Sequence, residues 1–317
     1  MSKKIVIFVL VISLLMSIST LVLAEENYPS KPITWIVPFG TGGGSDQFAR
    51  IMEKQIESVT DAEIVVMNIP GSKTAVGLNN LMQREADGYT IFGATTDSII
   101  NLVTGVNSYD LEEIRPLANV QHNVDMWFIK KDEDRFSNFE ELVRFAKENP
   151  GELSIATTGL NGADSLSIRQ IEESKDFDIE NVPYSEPGER YSALAGGHVD
   201  ILHEQPGDVM SFIDAGEYKP IIVMTEDRIE GFEDVPTTKE KNIDVTSGYW
   251  RGVWVKAGTP DYAIDYLSEI IKKAYDTEEY KEYEKRKFLH LREGLKSGQE
   301  YQNFIEEEYK YYTEVMQ

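Results

Sequence analysis

The chain reads as an α/β protein built from two similar lobes with two chain crossovers between them. Three observations predict this. Short apolar runs alternate with amphipathic stretches from Ile33 onward, the alternation restarts after Trp127, and the last part of the chain is helical and charged. Alternating strand and helix signals are the grammar of a parallel sheet with crossover helices.

In the first series, strand patterns over 33–37, 63–66 and 89–92 flank helix patterns over 45–57 and 74–84. The second series begins at 127–129. It continues with helix 138–148, strand 153–156, helix 162–172, strand 179–182 and helix 189–195, then strands 198–202 and 220–224. From Asp261 onward the periodicity is helical, and Tyr301, Phe304, Ile305, Tyr309, Tyr312 and Met316 fall on one face. Helices without strands cannot form a third sheet domain, so they are expected to pack on the first lobe, with crossovers near 118–126 and 246–252. Lobe 1 is then 25–124 plus 250–317, and lobe 2 is 125–249. The charge run 278–287 reads as a solvated helix face.

Met1-Ser2-Lys3-Lys4 precedes an apolar run from Ile5 to Leu23 that ends at Ala24. A basic head, an apolar core and small residues at Val22 and Ala24 predict a signal peptide over 1–24, cleaved after Ala24. A retained membrane anchor is the alternative, since the run is about long enough to span a bilayer. Periplasmic export is the expectation. The absence of cysteine rules out disulfides, thiolate metal sites, a cysteine nucleophile and a lipidated cysteine anchor. The net charge of −24, more negative still once Lys3 and Lys4 are removed, repels nucleic acid and anionic lipid.

The most informative segment is 36–46, where a strand pattern runs through Gly40, Gly42, Gly43 and Gly44 to Ser45 and Asp46. Glycines let main-chain N–H groups approach a ligand, Ser45 or Asp46 caps the following helix, and a helix N-terminus attracts an anion. A tight turn without a ligand is the alternative. A counterpart over 156–165, containing Thr157, Thr158, Asn161, Gly162 and Ser165, also lies between a strand and a helix. Two such turns facing one another would form a pincer.

Competing chemistries leave weaker traces. No Gly-Lys-Ser/Thr follows the glycines as a phosphate-binding loop requires. A dinucleotide fingerprint fits only loosely, because Ser45 stands where its third glycine belongs and Met67-Asn68 offers no carboxylate for a ribose. Neither a Gly-x-Ser-x-Gly elbow nor a His-Glu-x-x-His helix is present. His198 and His203 suggest a metal, but within one strand they would point to opposite faces. No metal or cofactor is expected. An exported hydrolase and a nucleotide-dependent enzyme remain the rival readings.

Over nearly all of the mature chain the sequence resembles the Bug-type receptors of tripartite tricarboxylate transporters. The resemblance rests on an ordered set: 28–33 with Val37-Pro38-Phe39, Gly42 to Asp46, Asp87-Gly88-Tyr89-Thr90, Tyr184, Gly196 to Asp200, Asp234 to Thr237, Tyr249 to Gly252 and Ala257 to Pro260. It implies a non-enzymatic, monomeric Venus-flytrap receptor of type II-like topology. Such a receptor binds a small organic anion, a di- or tricarboxylate or related carboxylate, and delivers it to integral-membrane permease subunits. Carried over, the family's ligand loops fall on 39–46, from Phe39, and on 157–165, with Thr95 and Thr96 as a wall and Tyr184 and Asp200 as further matches. Ser165 replaces the family's common histidine, which bears on ligand identity. One carboxylate is expected on the amides of Gly43, Gly44 and Ser45, with a second polar end at Thr158, Asn161 and Gly162. Arg50, Arg169, Arg190 and Arg251 are candidate direct charges, Arg251 foremost because it lies beside Tyr249 and Trp250 at a crossover.

Overall fold

Strand β1 (Ile33–Val37) buries Trp35 on one face of its sheet and Ile36 on the other. An interior parallel strand is covered on both faces, which is why this run is apolar rather than alternating. The computed structural model describes residues 28–246 and 248–316; the expected signal segment lies outside the described residues.

In the first lobe β1 pairs in parallel with β2 (Ile64–Asn68) and β3 (Thr90–Thr95), with Ile33 opposite Ile64 and Trp35 opposite Ile91. Two antiparallel strands follow. β10 (Trp250–Lys256) lies between β3 and β4 (Ile114–His122), and the two-residue β11 (Lys296–Ser297) closes the edge beyond β4. Helices α1 (Gly44–Val59), α2 (Ala75–Met82) and α3 (Thr96–Val103) connect the strands. The second lobe contains β5 (Met126–Lys130), β6 (Ser154–Thr157), β7 (Glu180–Pro183), β8 (Ile201–Glu204) and β9 (Tyr218–Val223), ordered β7-β6-β8-β5-β9. Its helices are α4 (Phe139–Glu148), α5 (Ala163–Lys175), α6 (Pro187–Ala195) and the short α7 (Met210–Asp214).

Leaving β11 aside, the two sheets share one strand order. In each, the strand that runs antiparallel beside the three parallel ones belongs to the chain just after it has crossed from the other lobe: β5 in the second, β10 in the first. The fold is thus a two-lobed α/β architecture.

Helices α8 (Asp261–Tyr275), α9 (Glu278–Arg286) and α10 (Gly298–Val315) pack on the first sheet. Leu267, Ile270 and Ile271 of α8 join Trp35, Phe48 and Met52 in one core, while Tyr301 and Ile305 of α10 join Ile36, Phe92 and Trp254 in the other. A buried tryptophan removes about 200 Å² from water, on the order of 5 kcal/mol of hydrophobic stabilisation.

Several expectations are revised. Strands β4 and β10 are full sheet members, so 118–122 and 250–252 are strand rather than crossover. The first crossing is confined to 123–125; after β9 the chain stays on the second lobe, whose cores include Met224, Phe232, Ile243 and Val245, and the second crossing lies between Val245 and Trp250. The pattern over 89–92 is the start of a longer strand, which α3 follows without a break. His198 lies in an exposed turn before β8, so the opposite-face reasoning about it and His203 does not apply. The tail contains one short strand, β11. The charge run 278–287 is solvated on one side only, since Tyr280, Tyr283 and Glu284 of α9 are buried.

Trp250 Nε1 donates to Glu308 Oε2 at 2.8 Å. Burial pushes the Glu308 carboxyl from 4.5 up to about 7. The folded chain therefore holds this proton through a window in which the unfolded chain has lost it, and stability falls as pH rises through that window. Replacing Glu308→Gln keeps an acceptor for Trp250. It should stabilise the protein at pH 8, by up to about 3 kcal/mol, with the advantage vanishing towards pH 4; urea midpoints across pH measure this.

Candidate functional site

The cleft between the lobes is lined by loops that follow the carboxyl ends of β1, β2, β6, β7 and β8, together with the start of β10 and the crossing residue Asp125. Carboxyl ends of parallel strands are where α/β sheets place ligands. The cavity measures about 80 Å³. A water needs about 10–15 Å³ of such space, so it suits a few waters or one small molecule.

At the first turn Gly42 has φ +82° and its N–H donates to Asp46 Oδ2 at 2.9 Å, while Arg50 and Asn68 also hold Asp46. Asp46 is therefore a turn-stabilising carboxylate, below the ordinary range because these donors outweigh burial, and neither it nor Gly42 lines the cleft. Gly43 is the N-cap of α1 and no side chain caps it. The first-turn amides of a helix have no intrahelical acceptor, and Gly43, Gly44 and Ser45 all line the cavity. A Cβ on Gly43 would stand 2.6 Å from Pro187 Cγ, and one on Gly44 would meet Arg251 and Asp208. The glycines thus admit Pro187 and Asp208 of the second lobe and Arg251 of the first.

The second turn differs. Thr158 N and Oγ1 both donate to Asp164 Oδ2, at 2.7 and 2.8 Å, and Ser165 N donates to Asp164 Oδ1 at 2.9 Å. Ala163 N donates across the cleft to Asp97 Oδ1 at 3.1 Å. Resident carboxylates therefore already hold the N-terminus of α5. Of the second turn's expected residues only Thr158 lines the cavity. Asn161 is exposed, Gly162 packs against Lys73 and Asp97, and Thr157 and Ser165 hydrogen-bond Asn181.

Of the remaining expected residues, Phe39 and Arg251 line the cavity. Thr95 Oγ1 lies 2.9 Å from the Tyr249 hydroxyl, and Thr96 Oγ1 accepts from Trp250 N. Tyr184 packs on the second-lobe core. Asp200 pairs with Arg135 and accepts from Ser154, away from the cleft. Arg50 pairs with Asp46; Arg169 lies at a distant surface depression.

Charges dominate the site: Arg190 and Arg251 are the expected ones that line it, while Lys73, Glu204 and Asp208 were not singled out in the sequence. Lys73, in left-handed backbone at φ +54°, reaches from the first lobe to Asp164 Oδ1 at 3.0 Å and Asp97 Oδ1 at 3.6 Å. Burial lowers its pKa, but the two carboxylates outweigh this and raise it; Lys73 also helps hold Asp164 well below the usual carboxylate range, against burial. Arg251 donates to Gln205 Oε1 at 2.9 Å and Asp208 Oδ2 at 3.3 Å, with its guanidinium 5.5 Å from the Tyr249 ring centre. Lys287 binds Gln47 and the Gly207 carbonyl, 3.7 Å from Asp208. Within the second lobe Arg190 pairs with Glu204, and Gln205 Nε2 donates to Asp125 Oδ1 at 2.9 Å. The Nε–H groups of Arg190 and Arg251 are buried and have no acceptor among the described residues. One signal could have located Lys73: Pro70-Gly71-Ser72 marks a loop at the carboxyl end of β2.

His203 is committed on both ring nitrogens. Trp127 Nε1 lies 3.3 Å from Nδ1, and Asp125 Oδ2 lies 3.8 Å from Nε2. Among the described residues no cluster of three or more metal-ligating side chains exists.

The family pattern described as tripartite tricarboxylate transporter family receptor matches residues 48–317. The chain belongs to this family. A curated relative, a UPF0065 protein of Bordetella pertussis, is 28% identical over 268 residues, covering 83% of this chain and 81% of the relative. Among solved structures, a TctC solute binding protein from Polaromonas is 25% identical with TM-score 0.66, covering 91% of this chain and 99% of that one. MatC from Rhodopseudomonas palustris with bound malate superposes with TM-score 0.80 at 20% identity, covering 92% and 100%. Rpa4515 from R. palustris with adipate gives TM-score 0.81 at 22% identity, covering 91% and 97%. The last two establish likeness of fold.

In this receptor fold the lobes meet through Lys73. Lys73→Met should leave Asp97 and Asp164 as uncompensated buried charges, a loss of about 3–5 kcal/mol for the closed arrangement. Small-angle scattering should show a larger radius of gyration than the parent protein.

Proposed function

We propose that the chain is an extracytoplasmic solute receptor. It closes its two lobes on a small carboxylate, a di- or tricarboxylate or a related acid, and presents it to the integral-membrane subunits of a tripartite tricarboxylate-type transporter. One observation carries the reading. Uncapped first-turn amides of α1 and two buried guanidinium Nε–H groups without acceptors belong to residues lining one small cavity. Donors of that kind call for an anionic acceptor. Malate and adipate in the related structures of MatC and Rpa4515 are acids of the corresponding class.

The energetics are of the right size. Micromolar affinity requires about 8 kcal/mol. A helix terminus supplies up to about 2 kcal/mol and each charge-assisted hydrogen bond about 1.5–3 kcal/mol, so the α1 amides and one bond from each arginine supply about 5–8 kcal/mol, which reaches that figure only at the top of both ranges. Ligand binding drives closure only through tighter interaction with the closed state. Delivery then follows from a surface formed by both lobes, which exists only when they are together.

The rival chemistries find less support. His203 faces Trp127 and Asp125 and so offers no free base to Ser45, Ser72 or Ser185. A cavity of about 80 Å³ is small for a dinucleotide.

A thermal-shift screen against mono-, di- and tricarboxylates tests the proposal. A ligand at 100 times its Kd adds about 2.7 kcal/mol, and a flat response confirmed by calorimetry would refute carboxylate binding. Gly43→Val, whose side chain would collide with Pro187 at φ −80°, a backbone value valine accepts, should abolish ligand binding while leaving the far-ultraviolet circular dichroism unchanged.

A further inference from the structure

Five non-glycine residues among those described have left-handed backbone: Ser72 at φ +43°, Lys73 at φ +54°, Asp176, Asn242 and Phe288 at φ +59°. Asp176 and Asn242 have an ordinary explanation. Each ends a helical turn, Asp176 after α5 and Asn242 after residues 239–241, and aspartate and asparagine tolerate this region. Ser72, Lys73 and Phe288 are of other types, and all three lie in the two first-lobe segments that reach across to the second lobe. Lys73 forms the first bridge. Its ammonium meets Asp164 at 3.0 Å and its side chain packs against Gly159 and Gly162. The second bridge is 287–292. Lys287 binds the Gly207 carbonyl, and Phe288 lies with its ring centre 5.0 Å from that of Phe232. Phe288 and Leu291 pack on a second-lobe core, whereas Leu289 between them belongs to a first-lobe core. Arg292 then donates to the carbonyls of Met224 and Thr246, at 3.1 and 3.2 Å.

Phe288 directly follows Lys287, the C-cap of α9, so it stands where a helix end usually places glycine. A phenylalanine there presents a ring to the second lobe at the cost of backbone strain. Left-handed backbone in a residue with a Cβ costs about 5- to 30-fold in an equilibrium constant, and it persists only where surrounding contacts over-determine it. Among the contacts that hold these residues are the cross-lobe ones, and opening removes them. From this coincidence of strain with the bridges we infer that the closed protein is spring-loaded: segments 72–73 and 287–292 are strained while the lobes are together and relax as they part. The strain offsets part of the attraction between Lys73 and Asp164 and between Lys287 and Asp208. Lobes whose charges match can then reopen and release what they hold. The inference concerns the motion of the protein and requires no particular ligand.

The chain has no cysteine, so spin labels on Val65→Cys in the first lobe and Leu160→Cys in the second, both exposed positions, report lobe separation without interference. Pulsed electron paramagnetic resonance on the ligand-free protein then gives the ratio of open to closed molecules. At Ser72, replacement by Gly, Ala and Val removes the hydroxyl throughout while making left-handed backbone progressively costlier. The open-to-closed ratio should rise in that order, with Ser72→Ala about fivefold above Ser72→Gly. At Phe288, the Gly and Ala variants both lose the ring, and Phe288→Gly should be the more closed by about the same factor. The ratio compares two folded states, so a residue that only supports the fold changes the melting temperature and leaves the ratio alone; melting curves recorded in parallel separate the two effects. A ratio that stays constant along the Ser72 series or between the Phe288 variants, or that runs in the opposite order, would overturn the spring at that bridge.

Discussion

The closed cleft depends on a match of charge between its two walls. The first lobe contributes Lys73, Arg251 and Lys287, and the second contributes the carboxylates Asp164 and Asp208 that face them. Buried pairs of this kind add little net stability, since desolvation offsets the attraction, but breaking one is costly. Their effect is to define a single register between the lobes. The glycines of the first turn serve the same contact, for side chains at Gly40, Gly43 or Gly44 would strike Glu186, Pro187 or the Arg251–Asp208 pair.

Within that frame the two turns that look alike in sequence have separate tasks. At α5 the amides are occupied by Asp97 and Asp164, so this helix end anchors the lobe contact. At α1 no side chain caps the helix, and the first-turn residues Gly43, Gly44 and Ser45 line the cavity. In the proposed reading, a pincer of two equivalent anion sites is thus replaced by one anion site at α1 and one latch at α5. The arginines that share the cavity belong to different lobes, Arg190 on α6 and Arg251 on β10. An acceptor reaching both would link ligand occupancy to closure.

Periodicity made most of the strands and helices legible, because each interior strand had to be apolar on both faces and each helix on one. It failed at β4, whose sequence includes Arg115, Pro116, Asn119 and Gln121. Asn119 and Gln121 are buried because they hydrogen-bond Gly294 and Tyr280, partners more than 150 residues away in sequence. It failed again at β10, where a strand completing the first sheet follows the return crossing and resembles a linker. Of the site, the glycine turn of α1 and Arg251 were visible as a backbone requirement and a motif position. Lys73, Asp125, Glu204 and Asp208 were not, since a lone charged residue in a loop carries no local mark of what it will face.

By itself, then, the sequence determined the α/β class, the division into two similar units and the glycine-rich start of α1, each a consequence of spacing within a few residues, whereas the expected cap from Ser45 or Asp46 is not made, since Gly43 is the N-cap and no side chain caps it. Only the tertiary structure decided which charges meet. Lys73 and Asp164 are 91 residues apart, and Asp208 and Arg251 are 43 apart. Both pairs form because two separately folded sheets bring their carboxyl-end loops together, a relation that no local pattern encodes.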